Sequence, residues 1–258
     1  MRIAITREVS PAIGRCELTH LPRTPIDVAR AQEQHRAYCR TLAALGCEVL
    51  TLPPAPALPD AVFVEDTALV TDEVAVVLRL GAASRRPEVD AVAAELARHR
   101  QVLRMEGPGT VDGGDALRIE RTVHVGLSQR SDAEGIAELG RLLRPFGYEV
   151  RPVPVRGCLH LKSAVTEVGD DVLLLNPQWV DPDRFRSMAS VEVHPEEPRA
   201  ANALRIGGAV VYPASHRRTA ERLARRGITV RAVDVSELEK AEGAVTCCSL
   251  VFEERGSP

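Results

Sequence analysis

The sequence is poor in aromatic residues and lacks the patterns typical of secreted and membrane-spanning proteins. Aromatic residues make up 3% of the 258 residues, with a single tryptophan. The apolar stretch after Met1 is too short for a signal peptide, and no run approaches the roughly 20 apolar residues of a membrane span. There is no N-x-[ST] sequon and no C-x-x-C pair. The sequence therefore predicts a cytoplasmic protein that does not bind a membrane.

The charge is nearly balanced. A net charge of -3, from 33 basic and 36 acidic residues, argues against general attraction to nucleic acid or to anionic lipid. A hydrophobic content of 45% is ordinary for a globular protein of this length. The composition thus favours a small-molecule ligand over a nucleic-acid partner.

The six cysteines are spaced irregularly, which does not fit a secreted disulfide framework. Two of them, Cys247 and Cys248, are adjacent and lie between a glycine-led turn and an apolar run. Neighbouring cysteines rarely bond each other, because the geometry strains the backbone. Two interpretations remain open from the cysteines alone: a nucleophilic thiol, or two small buried side chains.

Three polar motifs interrupt otherwise apolar, strand-like sequence. They are Asp60 to Thr67, Gly109 to Asp115, and Leu159 to Lys162. Carboxylates are seldom buried unless a cation pairs with them, so these acids indicate a pocket for a positively charged ligand such as a guanidinium. The alternative is that they are strand-end acids paired with internal arginines.

Helix-like and strand-like segments alternate along the chain. Amphipathic spacing predicts helices over 26–45, 86–99, 132–143 and 217–226, with a weaker candidate over 181–188. Strands are predicted over 2–6, 48–52, 61–64, 75–80, 123–127, 172–175, 209–212 and 229–235. Five helices in 258 residues give a period of about 50, which suggests a repeated supersecondary unit.

The ordered motifs resemble those of the dimethylarginine dimethylaminohydrolases, the short members of the guanidino-modifying superfamily. The resemblance runs through nearly the whole chain and rests on Glu33-Gln34-His35, Pro59 to Asp66, Gly81 to Arg86, Asp112 to Asp115, Gly126 to Arg130, Leu159 to Lys162, Pro195-Glu196-Glu197, Ala200-Ala201-Asn202 and Thr246 to Ser249. It implies one α/β catalytic domain over residues 1–258, folded as a five-bladed ββαβ propeller with the site in a central channel. It also implies an enzyme without a cofactor or metal, either a monomer or a homodimer.

The resemblance also implies roles for individual residues. Cys247 would be the nucleophile, with Cys248 a packed neighbour, and His160 the general acid and base. Asp66 and Asp112 would hold the guanidinium nitrogens, Asp112 as part of the catalytic group. The remaining assignments concern the substrate: Arg85 and Arg130 for its α-carboxylate, Asp60 and the backbone of Leu18 for its α-amino group, Glu65 on the acidic side, and Ala241 in the pocket wall.

Two residues next to the proposed nucleophile depart from the family pattern. Ala241 stands where the family usually has Val or Ile, and Glu242 where it usually has Asp. The segment Glu8 to Pro25, which contains Leu18, is rich in Pro, Thr and Arg and is predicted to be a mobile loop that serves as a lid.

Three functional hypotheses follow. The first is hydrolysis of Nω-methylated arginines to citrulline and an alkylamine through a covalent thiouronium intermediate. The second is a related reaction on arginine or another substituted guanidine, which Ala241 and Glu242 leave open; arginine deiminases, however, are usually much longer. The third is a non-catalytic amino-acid binder on the same scaffold.

Overall fold

The computed structural model describes residues 1–254, and residues 255–258 of the predicted domain lie outside the described part. Within it, fifteen strands form five sheets of three strands each. In chain order the strands are β1 Arg2–Arg7, β2 Cys47–Leu52, β3 Ala68–Val70, β4 Val74–Val77, β5 Gln101–Arg104, β6 Ala116–Ile119, β7 Thr122–Leu127, β8 Glu149–Pro154, β9 Val165–Gly169, β10 Val172–Leu175, β11 Ala189–Glu192, β12 Leu204–Ile206, β13 Ala209–Pro213, β14 Thr229–Val233 and β15 Leu250–Glu253.

The same connection recurs in every sheet. The central strand pairs antiparallel with one neighbour and parallel with the next strand along the chain. In four sheets a hairpin is therefore followed by a crossover, and in the fifth the antiparallel partner of β1 is β15. Four crossovers contain a helix: α1 Val28–Ala44, α2 Val89–Leu96, α3 Ala133–Leu143 and α5 Arg217–Arg225. The remaining crossover, between β10 and β11, contains only the 3₁₀ turn Pro182–Phe185. The repeated unit is therefore ββαβ, as expected for a five-bladed pseudo-symmetric propeller.

Two one-turn helices stand outside the crossovers, α4 Leu161–Ala164 and α6 Ser236–Glu239. Among residues 1–254, no helix combines the length and the apolar character needed to cross a membrane.

The two ends of the chain close the ring. The C-terminal strand β15 pairs antiparallel with β1, which pairs parallel with β2, so one blade contains strands from both ends of the sequence. Arg2 opposes Glu253 in this register, and Ile5 opposes Leu250. Because Leu250 follows Cys247 by three residues, closing the ring also places the cysteine pair.

Apolar side chains fill the space between the sheets and the helices outside them. The central strands are the most buried: every residue of β4 and of β13 is inaccessible or nearly so. Strands buried on both faces read as continuous apolar runs, which explains Val74–Val77 and Ala209–Pro213. The helices bury one stripe each, such as Ile136, Leu139 and Leu143 of α3.

Most predicted helices and central strands are confirmed. The helix predicted over 86–99 is shorter, because a 3₁₀ segment, Ala83–Glu88, precedes α2. The predicted strand over 61–64 is wrong: the apolar run forms a buried turn that leads into the 3₁₀ segment Val64–Thr67, and β3 begins only at Ala68. The weak helix over 181–188 is likewise only a 3₁₀ turn.

A close backbone contact fixes the loop that leads to Asp112. Asp132 caps α3 by accepting a hydrogen bond from Gly135 N at 2.7 Å, and it also accepts one from Thr110 N at 3.1 Å. A Cβ on Gly135 would overlap the Thr110 carbonyl. The helix N-terminus and the loop at 110 can therefore meet only because residue 135 has no side chain.

Gly135→Ala is expected to destabilise the protein by about 1–3 kcal/mol or more, because the added methyl group meets backbone rather than a movable side chain. Chemical denaturation would measure this change. Gly14→Ala is the matched control, because no atom lies within 4 Å of the position that its added methyl group would occupy. Equal stability of the two variants would contradict the close contact.

Candidate active site

Each blade contributes polar side chains from the segment that enters its first strand. Asp66 precedes β3, Asp112 precedes β6, and His160 precedes β9, while Asn202 precedes β12 and Cys247 precedes β15. Because these five segments occupy equivalent places in a ring, they meet at its centre. Residues far apart in sequence are thus brought together by the repeat.

A small cavity lies at this centre. Its wall contains Glu17, Asp60, Phe63, Asp66, Arg85, Arg130, Leu159, His160, Ala241, Glu242, Gly243 and Cys247. Acidic and basic groups line the same small space, which suits a ligand that carries both charges. A larger cavity of about 380 Å³ also reaches Cys247, and Trp179 and Leu21 contribute to its wall.

Cys247 is half-buried and is held by backbone contacts. Its Sγ accepts a hydrogen bond from Ala244 N at 3.4 Å, and its carbonyl accepts one from Glu65 N at 3.1 Å. Burial, together with the negative charges of Glu65 and Asp66, raises the pKa of the thiol to about 12. The empty protein therefore holds Cys247 as a thiol at neutral pH. Cys248 is fully buried.

His160 lies between two buried carboxylates. Its Nε2 is 3.1 Å from Asp112 Oδ2, and its Nδ1 is 3.9 Å from Asp66 Oδ1. Burial alone would lower the pKa of His160, but the charge of Asp66 and the hydrogen bond to Asp112 outweigh it and raise the pKa to about 9. His160 is thus protonated at neutral pH, and its Nε2 donates to Asp112.

Asp66 remains ionised although it is buried. Arg85 Nη1 donates to Asp66 Oδ2 at 2.7 Å, and Gly114 N donates to Oδ1 at 3.0 Å. Burial raises the pKa of Asp66, but the positive charges of His160 and Arg85 prevail and lower it to about 2. The carboxylate therefore carries a full negative charge beside Cys247.

A buried hydrogen-bond network supports the histidine. Asp115 accepts from Leu161 N at 2.8 Å and from the hydroxyl groups of Ser128 and Ser131 at 2.6 and 2.7 Å. Leu161 is the residue after His160, so these bonds fix the backbone that carries the ring. The His160 ring also lies directly over Gly114, where a Cβ would come within 2.5 Å of Nδ1.

The same cavity also contains groups that suit an amino acid. Arg130 is 8% exposed, and within residues 1–254 its Nη1 has no hydrogen-bond partner, the nearest carboxylate oxygen of Asp112 being 3.8 Å away. Both carboxylate oxygens of Asp60 accept from Glu17 N, at 3.1 and 3.2 Å. Arg85 differs from Arg130, because Asp66, Glu88 and the Phe63 carbonyl already engage its guanidinium.

Glu65 lies outside the lining of this cavity. Its carboxylate accepts from Lys162 Nζ and from Thr246 Oγ1, both at 2.7 Å. Asn202 in turn binds the Thr246 hydroxyl and backbone N at 2.9 and 3.0 Å. These contacts hold the residue before Cys247 from two other blades.

The structure gathers most of the sequence-predicted site residues. Asp60, Asp66, Arg85, Arg130, His160, Ala241 and Cys247 all line the small cavity, and Asp112 contacts His160 directly. Leu18 packs its side chain against the apolar core, one residue from Glu17. The sequence reasoning assigned no role to Lys162, Thr246 and Asn202. A signal for them was available: each stands within four residues of the start of a first strand, as Asp66 and Cys247 do.

Asp66, Asp112 and His160 also form a potential cation site. Donor atoms of Asp66, Asp112 and His160 lie within 4.8 Å of one another. A metal ion would need His160 to be neutral, whereas its pKa of about 9 keeps it protonated. Arg85 already pairs with Asp66 at 2.7 Å. These charges fit a diffuse organic cation better than a metal ion.

Comparison with known proteins identifies the family. Residues 23–195 match the family model described as "N,N dimethylarginine dimethylhydrolase, eukaryotic". The N(G),N(G)-dimethylarginine dimethylaminohydrolase of Streptomyces coelicolor is 40% identical over 253 residues, which is 97% of each chain. The chain belongs to the dimethylarginine dimethylaminohydrolase family.

Solved structures support both the family and the fold. A Cys-to-Ser mutant of the Pseudomonas aeruginosa enzyme in complex with citrulline superimposes with a TM-score of 0.93 at 35% identity, covering 96% of this chain and 98% of that one. A His-to-Gly dimethylarginine dimethylaminohydrolase, an adduct with S-methyl-L-thiocitrulline, gives a TM-score of 0.92 at 34% identity, with coverages of 98% and 100%. The predicted five-bladed fold is therefore confirmed.

The raised pKa of Cys247 makes its reactivity depend on pH. Only the thiolate reacts with iodoacetamide, and at pH 7 a thiol of pKa about 12 has about 10³-fold less thiolate than an ordinary cysteine. The labelling rate of Cys247 in the empty protein should rise steadily from pH 7 to 10. Mass spectrometry would measure it, with Cys247→Ser as the blank. A labelling rate that stops rising above about pH 9.5 would show an ordinary thiol.

Proposed function

We propose that this protein hydrolyses Nω-methylated L-arginines to L-citrulline and an alkylamine, with Cys247 as a covalent nucleophile. One observation carries the proposal: a single cavity holds a thiol, buried carboxylates and a cationic histidine, together with an arginine nitrogen that has no hydrogen-bond partner within residues 1–254. This set of charges suits a guanidinium linked to an amino acid. Related proteins supply further support, since one was crystallised with citrulline.

The charged end groups would orient the amino-acid part of the substrate. The Nη1 of Arg130, which has no partner within residues 1–254, is available to the α-carboxylate, and Arg85 adds positive charge in the same wall. Asp60 would accept a hydrogen bond from the α-amino group in place of the one that it accepts from Glu17 N. Leu18, adjacent to Glu17, would offer its backbone to the same ammonium group. Ala241 would border the substrate chain, leaving more room than a larger aliphatic residue.

Asp66 and Asp112 would hold the guanidinium. Two carboxylates on a planar cation fix its plane and leave one face for attack. Glu65, bonded to Lys162 and Thr246, would act on the substrate mainly through its charge and by positioning the Cys247 segment. The bound cation would also counter the negative charges that raise the Cys247 pKa, so substrate itself would favour the thiolate.

The reaction would then run in two halves. The Cys247 thiolate attacks the guanidinium carbon, and His160, which is protonated at neutral pH, gives its proton to the departing alkylamine as the carbon–nitrogen bond breaks. The product of this half is an S-alkylthiouronium on Cys247. Neutral His160 then removes a proton from water, whose oxygen attacks the same carbon. The carbon–sulfur bond breaks and the hydroxyl proton of the intermediate passes to the sulfur, which releases citrulline and restores the Cys247 thiol.

The proposal includes a cytoplasmic enzyme that is a monomer or a homodimer. All six cysteines are free in the structure, which supports a reducing compartment.

Turnover assays would test the reaction and its nucleophile together. Citrulline release from asymmetric dimethylarginine and monomethylarginine should vanish in Cys247→Ser and fall by about 10²- to 10⁴-fold in His160→Gln. Cys47→Ser, which alters a thiol in β2, is the matched control and should keep full activity. Activity on arginine alone would indicate a deiminase, and silence on all three substrates in the wild type would contradict the proposal.

A further inference from the structure

The carboxylate of Glu242 accepts hydrogen bonds from three consecutive backbone amides of the segment that borders the site. We propose that Glu242 is a positioning residue. It holds residues 17–21, here called the lid segment, over the part of the cavity that Asp60 and Arg130 line. Its Oε2 accepts from Thr19 N at 2.9 Å, while its Oε1 accepts from His20 N at 2.5 Å and from Leu21 N at 2.6 Å. Three consecutive backbone donors thus converge on one carboxylate across more than 220 residues of sequence.

The backbone at Glu242 shows that the contact is built rather than incidental. Glu242 has a φ of 58°, a left-handed conformation that glutamate adopts at a cost and that Asp or Asn tolerates better. Gly243 packs so closely on Phe63 that a Cβ would overlap the ring. Ala244 N bonds the Cys247 sulfur. The carboxylate therefore projects from a rigid turn that also contacts the nucleophile.

The lid segment has a second attachment of a different kind. Glu17 N donates to Asp60, and Thr19 Oγ1 accepts from Arg130 Nη2 at 3.2 Å. Asp60 and Arg130 are the groups proposed above to bind the substrate's α-amino and α-carboxylate. These contacts must be exchanged when an amino acid binds, whereas the contacts of Glu242 involve no group proposed to bind substrate.

The contacts of Glu242 and those of Asp60 and Arg130 have different roles. Glu242 keeps residues 19–21 in place while Asp60 releases Glu17 and takes the ligand. The segment can then stay over the cavity through binding, without a wide opening. Without this carboxylate, the lid segment would move away from the cavity whenever substrate replaces Glu17 and Thr19 as the partners of Asp60 and Arg130. This role rests on the proposed function, but the contact itself does not.

Side-chain length makes the contact testable. Asp is shorter by one carbon–carbon bond, about 1.5 Å, which would take its carboxylate out of hydrogen-bond range. Gln keeps the length, but only its oxygen accepts, so at least one of the three donors loses its partner. A purely structural role for residue 242 would make Glu242→Asp neutral or stabilising, because Asp accepts a positive φ more easily. The proposed positioning role predicts a looser lid segment in the same variant.

Amide hydrogen exchange at residues 19–21 is the primary measurement, made on the substrate-free protein. We expect exchange to accelerate by about 10²-fold in Glu242→Ala and Glu242→Asp and by less in Glu242→Gln, with Glu48→Gln, on exposed β2, as the control. Thermal denaturation of each variant confirms folding. Unchanged exchange in the folded Asp and Gln variants would overturn the proposal.

Steady-state kinetics then test its role in binding. KM for dimethylarginine should rise about tenfold or more in Glu242→Asp, while kcat changes much less. Faster exchange with an unchanged KM would overturn the positioning role. An inactive wild-type protein whose lid amides nevertheless respond to Glu242→Asp would refute the proposed function and leave the contact intact.

Discussion

Burial of the carboxylates Asp66 and Asp112 beside His160 is the constraint on which the site depends. Ionised acids in an apolar interior are costly unless cations and hydrogen-bond donors surround them. Here His160 lies between the two, Arg85 pairs with Asp66, and Gly81 N donates to Asp112 at 2.8 Å. The positive charges of His160 and Arg85 keep Asp66 ionised, and Asp66 in turn helps to keep His160 protonated. Burial and the negative charges of Glu65 and Asp66 keep the Cys247 thiol neutral. A cationic substrate would complete this balance of charges, so its binding would set the protonation of the nucleophile.

The ring explains how so many buried polar groups are satisfied. Each blade brings one entering segment to the centre, and neighbouring segments exchange hydrogen bonds: Gly114 with Asp66, Leu161 with Asp115, and Thr246 with Glu65. Every one of these bonds joins two blades. Folding of the ring and assembly of the site are therefore the same event, since pairing of β15 with β1 is what brings Cys247 to the others.

Sequence periodicity alone predicted a repeated unit, and the acids within apolar sequence predicted a pocket for a cation. The individual site residues were assigned through the family resemblance, because the cysteines and acids alone left other interpretations open. The helices α1, α3 and α5 were predictable because their apolar stripes are long, and β1, β10 and β13 were predictable because their apolar residues are consecutive or nearly so. Several strands were missed because they are three or four residues long, too short for a periodic pattern, as β3 and β12 show. The apolar run Ala61 to Val64 misled because buried turns and buried strands have the same composition.

The contacts that the site residues make were harder to predict than which residues form the site. Arg85 and Arg130 were assigned the same role, yet Asp66 and Glu88 engage Arg85, whereas Arg130 keeps a nitrogen without a partner among residues 1–254. The reach of Glu242 to the lid segment is a tertiary contact between the two ends of the chain. The loop predicted over 8–25 is also only half exposed, since Val9, Ile13 and Cys16 are buried in the core. Such features depend on packing that a single sequence does not encode in any local pattern.

The central claim is that Cys247 forms a covalent bond to the substrate carbon. The most direct measurement is mass spectrometry of the wild-type protein quenched in acid during turnover of dimethylarginine, followed by fragmentation of the peptide that contains both adjacent cysteines. The account predicts an adduct with the mass of the substrate minus the alkylamine, placed on Cys247 and not on Cys248. Steady citrulline production without an adduct, or with the adduct on another residue, would contradict it.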